Sequence, residues 1–238
     1  MNRIAYLWIV FGLVFSGENL FGISLRGSES VCSTLRVQDT LKKKQSLYTG
    51  KMWSNKYHRI NGDQFLFANY FIPGTVSING KTFRNLMLRY DIQEDELLIP
   101  VNREEILQLN KEMIDSFSLR FENKTYNFLK IPDDSINAPG GYYCVLFDQQ
   151  STLYVKYKKY ISPNITDKSD GEFIQTNITY MVKDGVVYHL KTKSDLYKAL
   201  NIDIPQVRHY LRYNRLKISK NIPESYIPVI RFCENSKQ

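Results

Sequence analysis

The stretch that decides the fold is "SINGKTFRNLMLRYDIQEDELLI", Ser77 to Ile99. Asn79-Gly80 is a dipeptide suited to the positive φ angles of a two-residue hairpin turn, so the segments on either side of it are predicted to pair as antiparallel strands. In the second of these strands Phe83, Leu86 and Leu88 do not share one parity, which predicts a bulge near Asn85. "DELLI" then supplies a third strand. The stretch holds no residue type that by itself announces catalysis, and it reads as scaffold that sets the register of a sheet.

The same pattern runs on from there. "EEILQL", "MIDSFSLRF" and "TYNFLKI" are short apolar-polar segments separated by Asn110-Lys111 and Glu122-Asn123-Lys124. In "TLYVKYKKY", Leu153, Val155 and Tyr157 alternate with Tyr154, Lys156 and Lys158, the period of a half-buried strand. "TNITYMV" and "VVYHLK" form another hairpin across Asp184-Gly185. The prediction is about nine or ten strands in an antiparallel meander, either an open sheet or a partial barrel. The connections are too short for βαβ crossovers, so a parallel doubly wound sheet is disfavoured.

The period changes near Thr192. "KSDLYKALNI" offers Ser194 as N-cap, with Leu196, Tyr197 and Leu200 on one side. "IPQVRHYLRYNRLKI" opens with Pro205 and places Val207, Tyr210 and Leu211 at i, i+3, i+4, an apolar stripe. Arg208, Arg212 and Arg215 recur at i, i+4, i+7 on another face. A third segment, "PESYIPVIRF", is expected to be bent or only partly helical because of Pro228. These two or three short helices are too small to fold alone and are expected to pack on the sheet. The fold class is therefore α+β, mainly β. Its organisation is a leader (1–24), a polar lead-in (25–47), a β-rich domain (48–192) and a helical C-terminal segment (193–238).

With those segments in place the chain resembles a family of uncharacterised exported β-rich proteins of Bacteroidota-type Gram-negative bacteria. The resemblance rests on "FIPGTVSINGKTFRNLMLRYDIQEDELLI", "GGYYCVLFDQQSTLYVKY", "YMVKDGVVYHLKTKSDLYKAL" and "VRHYLRYNRLKI", from about Gly50 to Ile218. Asp91 stands where the family often has Asn, and Pro228 interrupts the last helix. The resemblance implies export and a β-rich fold; it implies no reaction and no catalytic residues.

Export is also the reading of the N-terminus. Met1-Asn2-Arg3 precedes an uninterrupted apolar run, Ile4 to Phe15, with small residues at Ser16, Gly17, Gly22 and Ser24 after it. This is the layout of a secretory signal peptide, cleaved near Gly22 or Ser24, and the run is too short to span a bilayer. The mature chain is expected in the periplasm or secreted, at most associated with the outer membrane, with no membrane span of its own. Cys32 lies well beyond the apolar run, so a lipid anchor is not expected. Of the three cysteines, Cys144 in "GYYCVLF" reads as a small hydrophobe in a buried strand. Three unpaired thiols are expected, with a Cys32–Cys233 link as the alternative. The absence of a CxxC pair or Cys/His cluster argues against structural zinc.

The 238 residues carry 32 Lys+Arg against 24 Asp+Glu, a net charge of +8. Much of it lies between Lys183 and Lys220, where nine basic residues face three acidic ones. For an exported chain the matching partner is an envelope protein or an anionic glycan or lipid surface, not nucleic acid. Arg208, Arg212 and Arg215 are the candidate binding face.

Candidate chemistry is sparse. His58, His189 and His209 are scattered, and there is no GxSxG elbow, no HExxH and no phosphate loop. Glu94-Asp95-Glu96 is the densest acidic cluster. Paired carboxylates serve glycoside hydrolysis or calcium binding, yet three adjacent acids in a turn are usually solvated. No cofactor is expected. The sequons at Asn123, Asn164 and Asn177 match chance, whereas Asp39-Thr40-Leu41 and Asp134-Ser135-Ile136 resemble a short bacterial O-glycosylation sequence, which makes Thr40 and Ser135 candidate modification sites. Three readings follow in order: a non-enzymatic envelope scaffold with a basic helical face, a lipid- or glycan-binding module, and a hydrolase built on Glu94, Asp95, Glu96 and an adjacent histidine.

Overall fold

The computed structural model describes residues 47–133, 138–163, 169–202 and 204–235. The leader, Cys32, Thr40, Ser135 and Asn164 lie outside the described residues. Strands β3 (Ile72–Ile78) and β4 (Lys81–Asp91) form the hairpin centred on Asn79-Gly80. Asn79 and Gly80 have φ of +48° and +73°, and Asp115 accepts the Gly80 N–H at 2.7 Å. The bulge lies where the parity breaks: Gly74 faces Leu86 and Val76 faces Phe83, so two residues of β4 oppose one of β3, and Asn85 takes φ +56°. An extra residue in the left-handed region restores the inward parity of the residues beyond it.

Ten further strands complete the described sheet. They are β1 (Gly50–Met52), β2 (Ile60–Asn61), β5 (Glu96–Pro100), β6 (Ile106–Leu109), β7 (Ile114–Phe121) and β8 (Lys124–Ile131). They continue with β9 (Gly141–Asp148), β10 (Ser151–Pro163), β11 (Gly171–Lys183) and β12 (Val186–His189). The spatial order is β1-β6-β5-β4-β3-β7-β8-β9-β10-β11-β12, all neighbours antiparallel. Twelve strands exceed the nine or ten predicted because β1 and β2 are too short for periodicity to register. One of them, β2, pairs parallel with the start of β11 (Ile60 with Gly171). A two-residue parallel pair needs no helical crossover, since over a hundred residues of sheet connect its strands.

The sheet is strongly curled. Tyr90 of β4 packs against Phe117, Phe128 and Tyr142 of β7, β8 and β9, with ring centroids 5.1, 5.4 and 6.0 Å away. In a flat sheet β4 and β9, four places apart, would be about 19 Å from each other. Residues 59–66 bridge the mouth of the curl. The Leu66 N–H donates to Tyr90 O and the Ile92 N–H to Gln64 O, while the Lys159 N–H of β10 donates to Ile92 O at 3.2 Å. The Lys159 ammonium reaches Asp63 O and Phe65 O, both at 2.7 Å. The concave face is closed by Val76, Leu88, Leu119 and Val155, all fully buried, beside the aromatic cluster. Each such side chain contributes roughly 1.5–3 kcal/mol.

Helices α1 (Lys193–Leu200), α2 (Ile204–Tyr213) and α3 (Ile227–Asn235) cover the hairpin end of β9, β10 and β11. Leu196, Leu200, Val207, Val229 and Ile230 pack there with Phe147, Leu153 and Met181. The N-cap of α1 is Thr192, not Ser194: its side chain and Asp195 form a reciprocal capping box, which needs an acid three residues after the cap. Pro228 does not interrupt α3. It stands in the first turn, where a missing N–H costs nothing, after a 3₁₀ turn over Pro223–Tyr226. Among the described residues no helix is long and apolar enough to cross a membrane.

Candidate functional site

The three acids of the turn between β4 and β5 do not act together. Asp95 takes φ +59°, and this left-handed residue swings its carboxylate inward, away from its neighbours. There it accepts the Tyr90 hydroxyl and the Lys111 ammonium (2.7 Å), with the Lys156 ammonium 3.3 Å away. Burial pushes the Asp95 carboxyl up, but Lys156, Lys111 and the Tyr90 hydroxyl outweigh it and hold it below the usual carboxylate range. Lys156 itself, only 5 % exposed at its side chain, also donates to Gly140 O and sits over the Tyr143 ring. Asp95 thus balances two lysines inside the protein, a structural assignment that removes it from any catalytic pair.

Glu94 and Glu96 turn the other way. Together with Asp91, at the end of β4, they line a pocket of about 210 Å³. Trp53 and Tyr57 form its aromatic wall, Gln64 and Gln108 add amides, and Lys51 and Lys56 stand at its rim. Asp91 is 1 % exposed, and its Oδ1 accepts the Gln93 and Glu94 N–H groups. Burial, with Glu96 and Glu94 adding to it, pushes the Asp91 carboxyl up to about 6 despite those two donors. Burial also raises Glu96, with Glu94 reinforcing it and Lys51 opposing. Tyr57 donates its hydroxyl to Glu94, and burial plus that carboxylate hold the phenol well above its ordinary value. Gln64 is 3 % exposed and borders the pocket.

None of the three histidines lines this pocket. His189 stacks on Tyr180, and burial with Lys191 lowers its basicity; His209 stacks on Tyr213 of its own helix. Two carboxylates of raised proton affinity, Asp91 and Glu96, line this cleft, and none of the three histidines accompanies them.

The predicted basic face is a second feature. On α2, Val207 is buried and Tyr210 stacks on Phe232 of α3 at 4.3 Å between centroids. This anchoring turns Arg208 and Arg212 outward, and Arg215, just past the helix end at φ +54°, is exposed with them. No carboxylate of the described residues pairs with any of the three. Beside them Pro205, His209, Tyr210, Tyr213 and Phe232 line an open apolar groove of about 540 Å³, and Tyr213 is 81 % exposed.

Sequence reasoning located the arginines because α2 obeys the helical period. It missed Asp91, Gln64 and Lys156. No local pattern marks them, and the alternation of β10 placed Lys156 on the polar side. Compared with family models, with curated proteins and with solved structures, the chain matches none.

Proposed function

We propose that this chain is a non-enzymatic exported protein of the cell envelope that docks, through α2, on an acidic surface of a partner protein. The observation that carries the reading is the juxtaposition of an aromatic groove with three exposed arginines, two on α2 and one just beyond its end, that pair with no carboxylate among the described residues. Exposed arginines without a carboxylate partner among the described residues leave a local positive field, which steers an acidic partner and sets its orientation. The aromatic groove supplies what charge alone does not, apolar area of the kind enriched at the centre of protein interfaces. A small anionic headgroup would use the arginines and leave the exposed Tyr213 ring and the apolar groove beside it unfilled, so a protein is preferred.

The test places a photo-crosslinking amino acid at Tyr213 in the native envelope and compares the chain with its Arg208→Glu/Arg212→Glu/Arg215→Glu variant. The reading requires a crosslinked peptide of net negative charge, lost in the triple variant and weakened by salt in reconstitution. Equal crosslinking by both forms overturns it. So does binding of the purified chain to anionic vesicles in an arginine-dependent manner without any protein adduct.

A further inference from the structure

Strands β10 and β11 pair over 13 residues each, yet β12 covers only Tyr180–Lys183 of the outer edge of β11. At the other end of that edge β2 covers Gly171 and Glu172. Between them the six residues "FIQTNI", Phe173 to Ile178, have no strand on their outer side among the described residues. Thr179 fixes the direction of the backbone groups, because its carbonyl accepts the Leu190 N–H at 2.8 Å and so faces outward. Successive residues of an antiparallel strand present their backbone groups to opposite sides, so Phe173, Gln175 and Asn177 also hold their N–H and C=O groups outward. Proteins guard such edges with charged side chains, proline or very short strands. β1 is guarded in that way, with three residues that include Lys51. The open stretch of β11 includes no charged residue and no proline.

We infer that this edge binds an extended, acidic peptide segment of a partner protein, which adds to β11 as a short antiparallel strand. Phe173, Gln175 and Asn177 offer an N–H and a C=O each, a ladder for a segment of about six residues, roughly 20 Å long. Both ends of the opening are closed. The Arg59–Asp170 ion pair, at 2.8 Å, fastens β2 at one end, and the turn at Asp184-Gly185 fastens β12 at the other. A second copy of this chain would bring its own 13-residue β11 with β2 and β12 attached, which exceeds the opening, whereas a short segment fits. The sign of the charge comes from the groove of about 540 Å³ along this edge. Lys191 and Lys220, both exposed, line it, and among the described residues no carboxylate does. Neither lysine has an ion-pair partner among the described residues. The Asn177 side-chain amide donates to Asn221 O at 3.3 Å, which holds the loop bearing Lys220 against the strand. Main-chain bonds of this kind supply affinity whatever the sequence, and the lysines select an acidic segment.

The experiment selects phage-displayed random heptapeptides on the purified full chain and measures the synthetic peptides by fluorescence anisotropy. The selected peptides are rich in Asp and Glu. N-methylation of one of the two sets of alternate peptide amides lowers binding by at least about tenfold, because only one set faces β11. Gln175→Pro removes one outward N–H and weakens binding by at least about tenfold; proline is accepted where an edge N–H faces solvent, so the variant folds. Lys191→Glu/Lys220→Glu weakens binding by at least about fivefold and leaves the backbone unaltered. The Phe173, Gln175 and Asn177 amides exchange freely in the chain alone and are protected once peptide is bound. The inference is overturned if no peptide is selected, if the selected peptides show no acidic bias, if neither N-methylated set differs from its parent, or if Gln175→Pro binds as the unaltered chain does. Protection of those three amides before peptide is added also overturns it, since a segment of the chain itself would then fill the edge. So does loss of peptide binding in the Arg208→Glu/Arg212→Glu/Arg215→Glu variant, which would move the peptides to α2. Failure of the α2 crosslink leaves this result unaffected.

Discussion

The ammonium of Lys156 lies 3.3 Å from the carboxylate of Asp95, sixty-one residues away in sequence, and both are largely shut off from water. Removing one member of such a pair strands the other as an uncompensated buried charge. Asp95→Ala is expected to lower stability by about 3–5 kcal/mol in urea titration at neutral pH. Adding Lys156→Met to that variant recovers part of the loss, and a double variant as unstable as the single one would refute this account. The pH dependence has a definite sign. Native Asp95 is held below its unfolded value of about 3.9, so its contribution is present above that pH and disappears as the solution is acidified through the native value.

Asp91 behaves in the opposite sense. Its native value of about 6 exceeds the unfolded value, so its favourable contribution is complete below about pH 4 and is lost as pH rises through 6. The charged groups around it are Glu94, Glu96, Lys51, Lys56 and Arg89, with the neutral Tyr57 phenol beside Glu94, and the nearby cations do not cancel its burial. Asp91→Asn is therefore expected to raise stability at pH 8 by roughly 1–3 kcal/mol and to change little at pH 4. A variant destabilised at both pH values would show that the ionised carboxylate is needed to hold the turn.

Cys144 is fully buried in β9, and burial pushes its thiol up to about 12. With almost no thiolate at neutral pH it should resist alkylation. Iodoacetamide followed by peptide mass spectrometry is expected to leave Cys144 unmodified in the native chain and to label it fully in guanidinium chloride. Labelling at the rate of a free cysteine would mean that β9 opens frequently.

Two glycines of the opening hairpin separate strain from collision. Gly80 has φ +73° with open space around its absent Cβ, so Gly80→Ala is expected to cost about 1 kcal/mol through backbone strain alone. In Gly74 an added Cβ would stand 2.4 Å from Ser118 O and 2.7 Å from the Leu88 side chain. Gly74→Ala should therefore cost more, about 1–3 kcal/mol, through displacement of β7 or Leu88. Equal losses in thermal denaturation would contradict that ordering.

What the sequence disclosed was local. The Asn79-Gly80 turn, the bulge at Asn85 and the outward arginines of α2 each follow from φ preferences or periodicity within a dozen residues. The pocket and the buried ion cluster could not be read in the same way. Asp91 and Gln64 meet because residues 64–66 pair with the end of β4, and neither carries a signal in its own neighbourhood. Lys156 falls on the polar parity of β10, and only Asp95, Gly140 O and the Tyr143 ring make its burial tolerable. Alternation separates the faces of a strand. It does not reveal that a curled sheet with packing on both faces buries each of them.

The bridge across the mouth of the curl sets an order of events for folding. The ion pair of Arg59 with Asp170 spans 111 residues, and Lys159 reaches back 96 residues to Asp63. Closing loops of that length costs entropy that only an already assembled sheet can offset. The hairpins from β3 to β11 must therefore precede the fastening of residues 59–66. During synthesis the ribosome releases that segment early, yet it waits for nearly the whole chain before it finds its place. The pocket it borders is among the last parts of the protein to exist, and pulse-labelling hydrogen exchange should find the Leu66 and Ile92 amides protected after those of β7 and β8.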